Sequence, residues 1–118
     1  MPGTMKDQIV QFFLDKMKAC VNAGAYQIED TAKNRSTRMD YGFTIEDQEA
    51  VLLQLTVDDY SKYEDNHDPN LSPVWVFKTI YEGHRFYVKY YFVNNEAELV
   101  IVMSDHLDDN EMNATWHR

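Results

Sequence analysis

From Val74 to His106 the chain carries three runs dense in β-branched and aromatic residues: V-W-V-F-K-T-I-Y, F-Y-V-K-Y-Y-F-V and E-L-V-I-V-M-S-D-H. Only the short breaks E-G-H-R and N-N-E-A separate them. Such residues suit a pleated, half-buried surface, and breaks this short join antiparallel neighbours, because a parallel return needs a crossover of a dozen or more residues. The stretch predicts a three-stranded antiparallel meander, and the rest of the chain must cover one of its faces.

Side chains alternate across a strand, so the middle run puts Phe86, Val88, Tyr90 and Phe92 on one side and Tyr87, Lys89, Tyr91 and Val93 on the other. The first set is core. In the third run the same period places Ser104 and His106 with Val100 and Val102, opposite Leu99, Ile101 and Met103. If Ser104 and His106 share a face with Tyr87 and Lys89, an imidazole, a phenol and an ammonium converge on one concave surface. The register decides whether they do.

Upstream, Met5 to Val21 reads as an amphipathic helix with Ile9, Phe13, Met17 and Cys20 on one stripe, widened by Val10, Leu14 and Val21. Gly24 suits the left-handed residue that follows a helix end. Tyr26 to Glu29 reads as a short strand. Thr31 to Asp40 is a loop or short helix bearing Lys33, Arg35 and Arg38, the densest cationic segment of the chain. Thr44 with Asp47 three residues on forms a helix start leading through Val51, Leu52 and Leu55, and Thr56 with Asp59 repeats the signal for a turn at Val57 to Tyr60. Ser61 to Pro73 is polar, holds two prolines and reads as a loop. The tail 107–118 has little periodicity, and Trp116 either docks on the core or stays free. The expected architecture is a single α+β domain over 1–118, with N-terminal helices packed on a small antiparallel β-sheet.

Composition narrows the function. The chain of 118 residues has one cysteine, Cys20, which excludes an internal disulfide and fits a core thiol in a reducing compartment. No apolar run approaches the ~20 residues of a membrane span and the N-terminus lacks a signal-peptide pattern, so a soluble, cytoplasmic protein without membrane partners is expected. With 11 Lys and Arg against 20 Asp and Glu, the net charge is -9, the wrong sign for gripping nucleic acid by the overall field. A nucleic-acid site has to be local. Glycine-rich phosphate loops, C-x-x-C, G-x-S-x-G and H-E-x-x-H motifs do not occur in the sequence. The spacing of Glu64, Asp65, His67 and Asp68 matches neither a calcium loop nor a zinc site, so neither metal nor other cofactor is expected.

The order of segments carries a resemblance. A helix ending V-N-A-G is followed by G-F-T-I-E-D, L-T-V-D-D-Y, an acidic proline-containing loop, V-W-V-F-K, a glycine-containing hairpin, F-Y-V-K and V-M-S-D-H. Over roughly Met17 to Asp109 this resembles the MqsR (motility quorum-sensing regulator) family of bacterial type II toxins, within the RelE-like superfamily. The resemblance implies a RelE/MqsR-like fold and a metal-independent endoribonuclease that cleaves messenger RNA and is held inactive by a cognate antitoxin. Tyr87 and Lys89 match the family's central-strand tyrosine and lysine, and Ser104-Asp105-His106 matches its Ser-x-His. Lys62 stands where some members carry a lysine after L-T-x-x-D-Y. The chain departs from the family in its acidity, in Tyr91 where a second cation is common, and in Asp105 where some members have lysine.

Cleaving RNA without a metal needs a base for the 2′-hydroxyl proton, an acid for the leaving 5′-oxygen, and cations for the charge building on phosphorus. An imidazole, with an unperturbed pKa near ~6.5, suits base or acid work at neutral pH. His106 and Tyr87 are the candidates for proton transfer, and Lys89, Arg85 and Lys62 for the charge. Lys33, Arg35 and Arg38 form a candidate clamp for single-stranded RNA, with Tyr91 and Tyr87 available to stack bases. Two other readings stand beside this one, because Tyr-x-Lys-x-Tyr is ordinary on any exposed strand. One is a binding protein with a lapsed site, whose acidic residues (Asp58, Asp59, Glu64, Asp65 and Asp68, then Asp105, Asp108, Asp109 and Glu111) contact a basic protein as a nucleic-acid mimic. The other is an interaction domain with packing surfaces on both faces.

Overall fold

The computed structural model describes residues 5–93 and 98–108. It is α+β, with the order α1 (Met5–Asn22), β1 (Tyr26–Ile28), α2 (Ala32–Met39), α3 (Ile45–Gln54), a 3-10 turn (Val57–Asp59), β2 (Tyr60–Glu64), β3 (Val74–Tyr81), β4 (His84–Phe92) and β5 (Val100–Leu107). The five strands form one sheet in the order β1-β5-β4-β3-β2. The meander is β3-β4-β5. β1 joins it parallel to β5, which makes the sheet mixed, and β2 adds an antiparallel edge. The segment expected as a loop from Ser61 therefore opens with a strand, since Tyr60–Glu64 pairs with Val74–Phe77 and the polar turn begins only after it.

Local chemistry accounts for most of the boundaries. Gly24 has φ +74 just past α1, the left-handed conformation a β-carbon disfavours. Thr44 caps α3 reciprocally: its hydroxyl accepts from the Asp47 N–H (3.0 Å) and its own N–H donates to the Asp47 carboxylate (2.8 Å). Tyr81 donates to the same carboxylate at 2.7 Å, tying the helix start to the end of β3. That bond pushes the Tyr81 phenol up to about 12. Between β3 and β4, Glu82 (φ 50) and Gly83 (φ 80) both have positive φ, the two-residue turn whose twist matches a hairpin.

The core lies between one sheet face and the helices. Phe77, Phe86, Val88, Tyr90, Phe92, Val100 and Val102 pack beneath Val10, Leu14 and Met17 of α1 and Val51 and Leu52 of α3. Phe77 and Tyr90 stack with ring centroids 5.7 Å apart. Ile9, expected on the buried stripe, is 47% exposed, whereas Val10, Leu14, Met17, Cys20 and Val21 are buried, so the buried face of α1 is centred away from Ile9. Cys20 is a core thiol, and burial pushes its pKa up, away from the reactive thiolate. Of the tail, Leu107 ends β5 and is 1% exposed, so the core reaches further than expected; Trp116 lies outside the described residues.

The junction of α2 with β5 positions the site. β1 pairs only with residues 100–102 of β5, which leaves the second half of that strand without a neighbour on one side. Side chains supply one. The Asn34 amide donates to Met103 O (3.1 Å) and accepts from Asp105 N (2.9 Å), Gln48 donates to Asp105 O (2.8 Å), and Leu107 N donates to the Thr37 hydroxyl (3.1 Å). Asn34, Thr37 and Gln48 are fully buried, and together they satisfy backbone groups that an open edge would present to solvent or to another chain.

Candidate functional site

The decisive local feature is a β-bulge. Tyr90 pairs with Val102 whereas Lys89 pairs with Ser104, so β5 carries one extra residue, Met103, against β4. Strict alternation would keep Ser104 and His106 on the side of Val100 and Val102. The bulge overturns that expectation. Val100 and Val102 stay in the core, while Ser104 and His106 emerge on the open face opposite Lys89 and Tyr87. Asn34 brackets the bulge through Met103 O and Asp105 N and thereby holds the register.

Two rows of side chains result. Lys78, Tyr87 and His106 are paired across β3, β4 and β5, and Val76, Lys89 and Ser104 form the next row. Paired residues on adjacent strands lie about 5 Å apart, so each row spans about 10 Å. These residues, except Val76, line a cavity of about 640 Å³, closed on the α2 side by Thr31 and Lys33 and at the end of β5 by Asp108. Thr31 caps α2, whose N-terminal end adds positive potential to that wall.

The Tyr87 and His106 rings lie side by side, with centroids 5.7 Å apart and planes at 37°. His106 is 5% exposed and forms wall rather than a protruding group. Its Nδ1 is 2.7 Å from Leu107 O. A carbonyl only accepts, so Nδ1 carries the proton of that bond, which makes Nε2 the nitrogen that exchanges a proton. Lys89 Nζ lies 3.3 Å from Glu64 Oε1, and Lys62 Nζ lies 3.1 Å from Glu64 Oε2. The hydrogen bonds from Lys62 and Lys89 hold the Glu64 carboxyl below its ordinary range, and Glu64 in turn raises Lys62. Glu64 thus bridges two cations at the rim.

Of the residues singled out from sequence, Tyr87, Lys89, His106 and Lys33 come together around this cavity. Lys62 lies two strands from Lys89 in the same row, with Val76 of β3 between them, and Arg85 shares the open face but precedes Tyr87 by two residues; both are outside the lining. Tyr91 lies on the same face, opposite Ile101. The expected clamp divides because α2 turns its residues in different directions. Arg35 pairs with Asp30 at 3.0 Å, and Arg38 donates to Gln48 at 3.0 Å and lines a separate depression with Tyr26 and Ile45. Lys78 was not among the expected site residues. Alternation within V-W-V-F-K-T-I-Y would place it opposite Phe77, but only the β3–β4 register puts it against Tyr87.

Asp105, counted with the acidic surface, is fully buried on the core side of β5, paired with Val88. Neither carboxylate oxygen has a hydrogen-bond partner among the described residues, and burial pushes its pKa well above the ordinary range. It contributes no surface charge. Asp109 and Glu111 lie outside the described residues.

No protein-family profile matches the chain, and no curated protein matches it significantly. The site's own chemistry is the ground for a functional reading. None of the described helices is long and apolar enough to cross a membrane.

Proposed function

We propose that the chain is a toxin-like endoribonuclease that cleaves single-stranded RNA without a metal, by attack of the 2′-hydroxyl on the adjacent phosphate. The observation that carries this reading is the cross-strand pair Tyr87–His106 on the wall of a cavity lined by Lys33, Lys78 and Lys89. His106, through Nε2, removes the 2′-hydroxyl proton. The oxygen attacks phosphorus, the Tyr87 phenol protonates the departing 5′-oxygen, and the lysines stabilise the charge on the phosphorane. The products are a 2′,3′-cyclic phosphate and a 5′-hydroxyl end. The resemblance to MqsR-type toxins points the same way and adds messenger RNA as substrate, a cognate antitoxin as partner and the cytoplasm as location.

The test is incubation of purified protein with single-stranded RNA in the presence of a chelator. Tyr87→Phe and His106→Ala are each expected to slow cleavage by about 10²- to 10⁴-fold while circular dichroism stays unchanged. Cleavage that survives both substitutions excludes this site.

A second reading, a lapsed toxin fold that binds a basic protein, is favoured by one observation. Glu64 already neutralises Lys89 and Lys62, as a substrate phosphate would. Absence of cleavage together with a stable complex with a basic protein would establish it.

A further inference from the structure

We infer that Lys78, rather than Lys89, is the first cation to receive a phosphate oxygen in this cavity, and that Glu64 is an intrachain competitor for the same anion. The inference rests on the nucleic-acid reading above and assigns its charge contacts.

The three ammonium groups on the sheet face are in different states. Lys62 and Lys89 converge on the two oxygens of one carboxylate, at 3.1 and 3.3 Å. An anion reaching Lys89 must first displace Glu64. Lys78, by contrast, is exposed, lines the cavity and has no ion pair or hydrogen bond among the described residues. It is also better placed for the chemistry, because it shares a row with Tyr87 and His106, whereas Lys89 lies in the neighbouring row with Ser104. A phosphate over Tyr87 then has the ammonium of Lys78 on one flank and the imidazole of His106 on the other.

Glu64 is suited to being displaced. Its side chain is 39% exposed and its partners are 58% and 24% exposed, so the bridge is made largely in water, where such pairs are weak. Its position on β2 at the sheet edge leaves the carboxylate room to swing away once a phosphate takes over its lysines. The first contact is therefore Lys78. Recruitment of Lys89 and Lys62 follows and carries the cost of releasing Glu64, so the site favours ligands with enough negative charge to compete with a carboxylate.

Binding is measured by fluorescence anisotropy with a labelled single-stranded oligodeoxynucleotide, which lacks the 2′-hydroxyl and so cannot be cleaved. Lys78→Gln is expected to weaken binding about tenfold, and Lys89→Gln about twofold or less. Glu64→Gln is expected to tighten binding several-fold, a gain that the added Lys89→Gln removes. Lys89→Gln weakening binding as much as Lys78→Gln, or Glu64→Gln bringing no gain, overturns the inference alone. A wild type that fails to hold the oligonucleotide overturns the nucleic-acid reading together with it. Binding with the expected pattern but no cleavage of RNA supports the charge assignment and overturns the nuclease reading.

Discussion

Asp105 sits between two cavity residues, Ser104 and His106, yet its own side chain points into the core, where neither oxygen finds a partner among the described residues. Burial keeps it protonated well above the ordinary carboxyl range. In the unfolded chain it ionises near ~3.9, so above that pH the folded state binds the extra proton and stability falls as pH rises. The slope is about 1.4 kcal/mol per pH unit, beginning at the unfolded pKa and ending at the raised folded one. Asp105→Asn removes it. The melting temperature of that variant is expected to gain on the wild type as pH rises above about 4; parallel curves would mean the carboxyl is not buried and unpaired.

Among the elements, α2 does the least for the core and the most for the site. Its side chains replace a missing strand along the second half of β5, and Asn34 fastens the bulge that turns Ser104 and His106 into the cavity. Asn34→Ala deletes three hydrogen bonds, to Glu29 O, to Met103 O and from Asp105 N, and strands the two groups of β5 that bracket the bulge. Urea unfolding is expected to show a loss of about 2–4 kcal/mol. The Asp105 amide should also lose more hydrogen-exchange protection than the amides of β3. If the loss were spread evenly over the sheet, Asn34 would be contributing general packing and not register. A cleavage assay on the folded variant should fall with it, since His106 depends on the same register.

Taken as a whole, the molecule is acidic but gathers several cations on one face of its sheet. The net charge is -9, yet Lys62, Lys78, Lys89 and Arg85 share the open sheet face and Lys33 reaches it from α2, while Glu46, Asp47 and Glu49 ride on α3 across the core. A polyanion therefore meets a small positive basin in a repelling surface. With three lysines lining the cavity and Lys62 recruited at its rim, the logarithm of single-strand affinity against the logarithm of salt concentration is expected to have a slope no steeper than about -3. A slope several times steeper would place the contact over a wide surface instead.

The sequence by itself determined the meander, the core set Phe86, Val88, Tyr90 and Phe92, the helix starts at Thr44 and the end of α1 at Gly24, because periodicity, capping and left-handed glycine act over a few neighbouring residues. It also marked Tyr87, Lys89 and His106. It missed β2, whose Y-S-K-Y-E lacks an apolar alternation because it is an edge strand covered on few sides, and it missed Lys78, whose partner across the sheet lies outside any local pattern. What placed His106 beside Tyr87 was the tertiary structure: one extra residue in β5, pinned by an asparagine some seventy positions earlier in the chain. A period-2 pattern has no memory of such an insertion. Every side chain beyond it changes face, and only the long-range bonds that hold the bulge decide which face that is.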